Sequence, residues 1–257
     1  MDILEELSAQ RRQDAEEAAR VVPLAKLIRQ AEAREPARDF AAAFRGESIR
    51  IIAELKKASP SEGLIRPDFD PVRIAESYAA NGAAAMSVLC EPHRFLGDEA
   101  YLRAVRERVD TPLLYKDFLT SEYQIVAARA AGADACLLIA AVLDQRTMKT
   151  LLSVARDLGF QALVETHTED EVKRATDLGA RLVGVNCRDL RTFKTEPALT
   201  AELVAKIPSG PVKIGESGLK TRDDILRVKA AGADGFLIGT TLMRAEDPGM
   251  KLRELIG

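Results

Sequence analysis

The sequence predicts an α/β fold, a (β/α)8 TIM barrel with an N-terminal helical extension, on three observations. A Gly-Ala signature recurs at Gly82, Gly132, Gly179 and Gly232, each time closing a helical stretch and leading through a turn into an apolar run. The four copies start roughly fifty residues apart, twice the length of one βα unit. Four further apolar runs fall between them, near residues 50–55, 112–116, 161–165 and 211–215. Eight strand and helix alternations of roughly 25 residues match a closed barrel in length and period, with a doubly wound open sheet as the structural alternative.

Along the chain, residues 1–45 form the extension and residues 46–257 the barrel, together one domain. Residues 2–19 are highly charged around Ile3, Leu4 and Leu7; residues 23–33 put Leu24, Leu27 and Ile28 on one helical face; Phe40 and Phe44 are an i, i+4 pair. These segments either plug the barrel bottom or cover its top, and periodicity does not choose between the two. Within the barrel, Thr168 followed by Glu171 and Thr221 followed by Asp224 have the spacing of a capping box, marking helix starts after the fifth and seventh strands.

Composition narrows the partners. The chain is 47% hydrophobic and 30% charged, and its net charge of −3 offers no general attraction to nucleic acid or an anionic membrane. The longest apolar run, Ala135 to Leu143, is too short to span a bilayer, and the first residues are acidic where a secretion signal is basic. A cytoplasmic monomer acting on a small molecule is the expectation. Cys90, Cys136 and Cys187 are odd in number and lie in or beside apolar runs, so they are expected to be reduced core residues.

Five apolar runs stop on a charged or amide side chain: Glu54 with Lys56, Lys116, Glu165, Asn186 and Glu216. Such a group at a buried strand end is costly to desolvate unless the site uses it. In a (β/α)8 barrel the active site lies at the C-terminal strand ends, so these residues converge on one face. Glu54 and Lys56, two apart on an extended strand, share a side. A lysine beside a carboxylate suits an acid or an anion ligand more than a nucleophile. Lys116 and Glu165 end odd-numbered strands with one strand between them and can face each other across a substrate.

Glu216-Ser217-Gly218 follows the seventh strand and Gly239-Thr240-Thr241 the eighth. Glycines permit close backbone approach, N–H groups at a short helix start attract an anion, and this is the usual phosphate position of the fold. Phe95 and Phe118, just past strands two and three, are rim packing or the walls of an aromatic pocket. His93 and His167 follow strand ends without a third ligand at metal spacing, which makes them loop residues and leaves no metal site. No Ser, His and Asp spacing commends a hydrolase triad.

Glu54-Leu55-Lys56-Lys57-Ala58-Ser59-Pro60-Ser61-Glu62-Gly63 resembles the first-strand motif of the indole-3-glycerol phosphate synthase family, and Leu114-Tyr115-Lys116-Asp117-Phe118 resembles its third-strand motif. Val185 to Leu190, Gly215 to Gly218 and Leu237 to Met243 resemble its sixth, seventh and eighth strand ends. The similarity spans essentially the whole chain. It implies a carboxy-lyase of tryptophan biosynthesis that needs no metal or organic cofactor. The reaction closes the indole ring of 1-(2-carboxyphenylamino)-1-deoxyribulose 5-phosphate, with loss of carbon dioxide and then water.

Carried onto matching positions, the resemblance makes Lys116 the general acid toward the ketone oxygen. Lys56 contacts the substrate carboxylate and supplies a proton for dehydration, and Glu165 is the second acid/base group. Glu54, Asn186 and Glu216 orient hydroxyls and lysines. Ser59, Ser217, Gly218, Gly239 and Thr240 hold the phosphate, and Phe95, Phe118, Leu137, Arg188 and Leu190 surround the anthranilate part. Cys187 stands where Asn or Ser is more familiar, Thr240 where Ser is common and Cys90 where Thr is common. A Schiff-base aldolase using Lys56 or Lys116, and a non-catalytic phosphate-binding barrel, are the competing readings.

Overall fold

The computed structural model describes residues 3–188 and 197–257. Eight parallel strands close a barrel in chain order: β1 (Ile51–Leu55), β2 (Ala85–Leu89), β3 (Leu113–Lys116), β4 (Ala135–Ile139), β5 (Gln161–Thr166), β6 (Leu182–Asn186), β7 (Val212–Glu216) and β8 (Gly235–Ile238), with β8 pairing back onto β1. Two helices precede the barrel, α1 (Ile3–Val21) and α2 (Leu24–Glu32). Around it run α3 (Pro71–Ala80), α4 (Glu99–Arg106), α5 (Glu122–Ala131), α6 (Gln145–Asp157), α7 (Glu169–Asp177), α8 (Pro197–Lys206) and α9 (Arg222–Ala230), and after β8 the short α10 (Thr240–Met243) and α11 (Pro248–Ile256). The repeat glycines act as the sequence predicts: Gly82, Gly132, Gly179 and Gly232 all take positive φ just past a helix, a backbone state that is unstrained only without a Cβ.

The strands are mostly apolar because both of their faces are buried. Outward-pointing Ile51, Ala53, Leu55, Met86, Val88, Leu113, Tyr115, Cys136 and Leu138 pack under the helices. Inward-pointing Ile52, Ala85, Leu114, Ala135, Leu163, Leu182, Ile214 and Leu237 fill the barrel interior. Two residues further along the same inward rows come Glu54, Ser87, Lys116, Leu137, Glu165, Gly184 and Glu216, since successive side chains alternate across a strand. Each odd strand thus points an apolar residue into the lower barrel and a charged one into its C-terminal mouth.

The extension does both jobs that its periodicity left open. Phe40 and Phe44, ring centroids 5.5 Å apart, belong to the interior cluster. Ala41 N–H donates to Gln161 Oε1 at 2.8 Å, at the first residue of β5, and Phe44 lies against Gly235 at the first residue of β8, so this pair closes the barrel bottom. Helix α1 instead crosses the mouth. Arg11 binds Asp117 past β3 through three N–H contacts of 2.7–3.1 Å, and His93 Nε2 and Arg94 Nη2 past β2 reach Asp14 (2.7 Å) and Glu6 (2.9 Å). Helix α2 packs Leu27 and Ala31 on Val126 and Ala130 of α5.

The three cysteines are buried and free, as expected of reduced core residues. Thr221 and Asp224 form the reciprocal capping box read from the sequence. Thr168 accepts from Glu171 N–H, but the Glu171 carboxylate takes the N–H of His167 at 2.7 Å, so this second box is displaced by one residue.

Phe44→Ala is expected to destabilise the protein by about 3–5 kcal/mol, the usual loss for a buried aromatic truncated to alanine. Urea denaturation measures it. The residual folded protein should keep its turnover, because Phe44 and the strand ends lie at opposite ends of the barrel; a change below about 1 kcal/mol would show that the bottom does not depend on the plug.

Candidate active site

The mouth of the barrel holds a closed set of charges. Lys56 Nζ lies 2.8 Å from Glu54 Oε2. Lys116 Nζ lies 3.4 Å from Glu165 Oε2 and 3.6 Å from Glu216 Oε2, so one ammonium bridges two strand ends. Asn186 donates from Nδ2 to Glu165 Oε1 at 3.0 Å, and its own Oδ1 accepts the Arg188 N–H at 3.0 Å. Glu54, Glu165 and Glu216 are all at least 97% buried. The expectation that these residues converge, and that Lys116 faces Glu165, holds in the structure.

Burial and pairing divide the three carboxyls. Burial opposes charge on Glu54 and Glu165, but Lys56 and Lys116 outweigh it at Glu54, and Lys116, His167 and Asn186 outweigh it at Glu165, so both are held below the usual carboxylate range. Glu216 is raised to about 8: burial dominates, Lys116 pulls the other way, and the Glu165 and Glu54 charges add to the rise. Its Oε1 has no hydrogen-bond partner among the described residues. Lys116 is raised because its three carboxylate neighbours overcome burial, so it carries its proton at neutral pH.

Small residues make room for these groups. A Cβ on Gly184, beside Glu165 in the β5–β6 register, would collide with Glu216 Oε1; one on Gly239 would collide with the Glu54 carboxylate and press on Lys56. Cys187 keeps a hydrogen-bonding role despite the departure from Asn or Ser, since its Sγ lies 3.7 Å from the carbonyl oxygens of Glu216 and Ser217.

On one side of the charges the chain builds a backbone nest. Ser217 and Gly218 follow β7 with φ of 62° and 73°, and Gly239 caps α10, its carbonyl accepting the Leu242 and Met243 N–H groups at 3.0 and 2.9 Å. Thr240 Oγ1 is buried there with no hydrogen-bond partner among the described residues, and Ser59 Oγ lies 3.4 Å from Ser61 Oγ on the short ribbon Ala58–Ser59 and Gly63–Leu64. Lys220, Arg244 and Lys251 line the same cavity and were not singled out by sequence. They sit on loop and helix positions where a basic residue usually only meets solvent, so no local signal distinguishes them.

On the other side lies an apolar wall. Phe95 and Phe118 have ring centroids 6.2 Å apart, and Leu89, Leu137 and Ile139 line the cavity beside them. Glu91, fully buried, accepts three N–H groups, from His93, Arg94 and Phe95, at 2.7–2.8 Å and thereby fixes the loop that carries Phe95. Asp117 does the same for Phe118 while holding Arg11. Leu4 and Leu7 of α1 complete the wall, a contribution that amphipathic periodicity alone could not place. Arg188 lines the mouth and donates to Ser61 Oγ at 3.0 Å; Leu190 lies outside the described residues.

His167 is a loop residue as expected, just past β5, and the structure adds its neighbours: Nε2 lies 3.4 Å from Glu165 Oε1 and Nδ1 3.4 Å from Glu171 Oε2. The signal was present as a histidine two residues beyond a strand-end glutamate, on the same side of an extended chain.

The whole cavity measures about 570 Å³, room for one substrate with a charged end, a reacting centre and an aromatic end. A (β/α)8 barrel with paired acids and bases at its strand ends, beside a glycine-lined nest, belongs to the class of barrel enzymes that work by acid–base chemistry. The family model for indole-3-glycerol phosphate synthase matches residues 4–255, and the chain belongs to that family. It is a decarboxylating carbon–carbon lyase of tryptophan biosynthesis. The indole-3-glycerol phosphate synthase of Laribacter hongkongensis is 47% identical over 259 residues, covering 99% of this chain and 98% of the relative. That of Alkaliphilus metalliredigens is 44% identical, covering 98% and 97%. Among solved structures, 3-hexulose-6-phosphate synthase from Salmonella typhimurium superposes with a TM-score of 0.66 at 15% identity, over 80% of this chain and 96% of that one, a likeness of fold alone.

The raised Glu216 has a signed consequence. Unfolded, it ionises near 4.5; folded, near 8. Between these values the folded state binds the extra proton, so this group makes stability fall as pH rises across that window. Glu216→Gln should remove that component. Subtracting variant from parent denaturation free energies measured from pH 4.5 to 8 isolates it, and parallel curves would show that Glu216 is not held protonated.

Proposed function

We propose that the cavity binds 1-(2-carboxyphenylamino)-1-deoxyribulose 5-phosphate with its phosphate on Ser59, Ser217, Gly218, Gly239 and Thr240 and its aromatic ring against Phe95, Phe118 and Leu137. Arg188 and Leu190 complete the ring site in this reading. The observation that carries it is the Lys116 ammonium at 3.4 Å from Glu165 and 3.6 Å from Glu216, between the nest and the apolar wall.

In this reading Lys116 protonates the ketone oxygen as the ring carbon that bears the carboxylate attacks the ketone carbon. The new carbon–carbon bond forms and the oxygen becomes a hydroxyl. Carbon dioxide then leaves, its bonding electrons restoring the aromatic ring. Lys56, which contacts the departing carboxylate, next protonates the hydroxyl, and it leaves as water. Glu165 accepts the proton released as the five-membered ring becomes indole. Glu54, Asn186 and Glu216 orient the lysines and the substrate hydroxyls. A positioned acid or base gives about 10²- to 10⁴-fold each, and holding the flexible chain in its ring-closing shape adds to the rate.

Both lysines are paired with carboxylates, which favours proton donation over imine formation and so disfavours a Schiff-base aldolase. The extension (1–45) and barrel (46–257) are read as one folding domain, supported by the Arg11–Asp117 contacts at the top and the Ala41–Gln161 contact at the bottom. The enzyme is read as a cytoplasmic monomer; among the described residues no helix is long and apolar enough to cross a membrane.

The test is to add the carboxyphenylamino-deoxyribulose phosphate and follow indole fluorescence. Turnover is expected from the parent, and its absence in well-folded protein would sink the reading. Lys116→Ala is expected to lower kcat by at least about 10²-fold, with affinity for a phosphate-bearing product analogue largely kept. Parental activity in that variant would remove Lys116 as the acid.

A further inference from the structure

His167 contacts the strand-end cluster and has no part in the proton chemistry above. Its ring lies between two carboxylates on opposite edges: Glu165 at 3.4 Å from Nε2, and Glu171, in the first turn of α7, at 3.4 Å from Nδ1. Both ring nitrogens are shut off from solvent, and among the described residues neither completes a hydrogen bond; the two carboxylate contacts are ion pairs once the ring is protonated. Glu171 is itself anchored, accepting the His167 N–H at 2.7 Å, and this is the bond that displaces the capping box of α7. The backbone just before His167 is tied down as well, since the buried Thr166 hydroxyl donates to the Gly184 carbonyl at 2.7 Å. A buried ring with a carboxylate at each edge fits the doubly protonated imidazolium, whose charge both carboxylates compensate. Metal ligation does not explain it, because no group of three candidate ligands occurs among the described residues.

We propose that His167 is a positioning residue for the reaction: as an imidazolium wedged between Glu165 and Glu171, it holds Glu165 as an oriented carboxylate ready to accept a proton. The proposal rests on the reading of Glu165 as an acid/base group. Asn186 and His167 occupy Oε1, which leaves Oε2 to Lys116 and the substrate. The groups facing Glu165 are therefore Lys116 from β3, Asn186 from β6 and His167 from its own strand end, with Glu216 of β7 sharing Lys116. Those acting on Glu171 are His167 and Arg174. Burial opposes charge on the imidazole, but the two carboxylates outweigh it and push the group up to about 10, so at neutral pH it is charged.

The experiment measures kcat and kcat/KM against pH for His167→Ala, Glu171→Gln and Glu165→Gln. Removing the imidazolium takes a positive neighbour from Glu165, so His167→Ala should move the acid limb of kcat/KM to higher pH. It should also lower kcat about tenfold with KM within about twofold, less than the roughly 10²- to 10⁴-fold expected for a full acid/base group. Glu171→Gln keeps the shape of α7 and weakens the charge on His167, so its alkaline limb should move to lower pH. In a Glu165→Gln background His167→Ala should cost nothing further, because the two act as one unit.

Limbs that overlay the parent in both His167→Ala and Glu171→Gln would overturn the positioning role, even if kcat fell, since that is what a purely structural histidine predicts. Should His167→Ala fail to fold, the alkaline limb of Glu171→Gln decides alone. Parental kcat in Glu165→Gln would instead overturn the role given to Glu165. An inactive Glu165→Gln beside an unmoved His167→Ala profile would leave that role standing and remove only the histidine.

Discussion

The site depends on burying three carboxyl and two ammonium groups at one end of a barrel while keeping the charged ones paired. An ion taken out of water costs several kcal/mol even after relaxation, and breaking a buried pair leaves that cost unopposed. The protein meets the constraint by sharing. Lys116 serves Glu165 and Glu216, Lys56 serves Glu54, and Asn186 and His167 fill the remaining side of Glu165. Glycine at positions 184 and 239 lets the carboxylates lie close to the neighbouring backbone, so the pairs stay short.

Strand geometry turns this local constraint into an architecture. The inward row of each odd strand alternates on a two-residue period, which separates the apolar floor (Ile52, Leu114, Leu163, Ile214) from the charged mouth (Glu54, Lys116, Glu165, Glu216) by one step. A slip of one residue in an odd strand would turn its charged group outward into the apolar packing under the helices. The packed floor, sealed below by Phe40 and Phe44, therefore fixes the register on which the charge network depends.

That period is also why so much was legible in advance. A charged residue ending an aliphatic run is an anomaly that sequence displays directly, and the Gly-Ala repeat supplied the topology that makes five such anomalies neighbours. What stayed hidden depended on partners distant in sequence. Leu4 and Leu7 mark an apolar face, but it takes contacts distant in sequence, such as Arg11–Asp117 and Arg94–Glu6, to turn it toward the mouth. Lys220, Arg244 and Lys251 look like surface residues until the loops after β7 and β8 bring them together. His167 was read against metal spacing, and its actual partners, one on the strand and one on the next helix, fit a different pattern.

The network also explains how two like groups at one lysine can differ in kind. Glu165 and Glu216 both touch Lys116, yet Glu165 has Asn186 and His167 on its far side, whereas Glu216 Oε1 lies against the backbone of Gly184 and meets no donor among the described residues. Positive charge and hydrogen bonds therefore collect at Glu165 and hold it ionised, while burial and two neighbouring carboxylates push Glu216 toward its neutral form. Environments that drive two carboxyls apart are the usual means by which one site keeps a base and an acid at the same pH. With Lys116 between them, a proton leaving the lysine increases the net negative charge around both carboxyls and strengthens the pull of the site on the next proton to arrive.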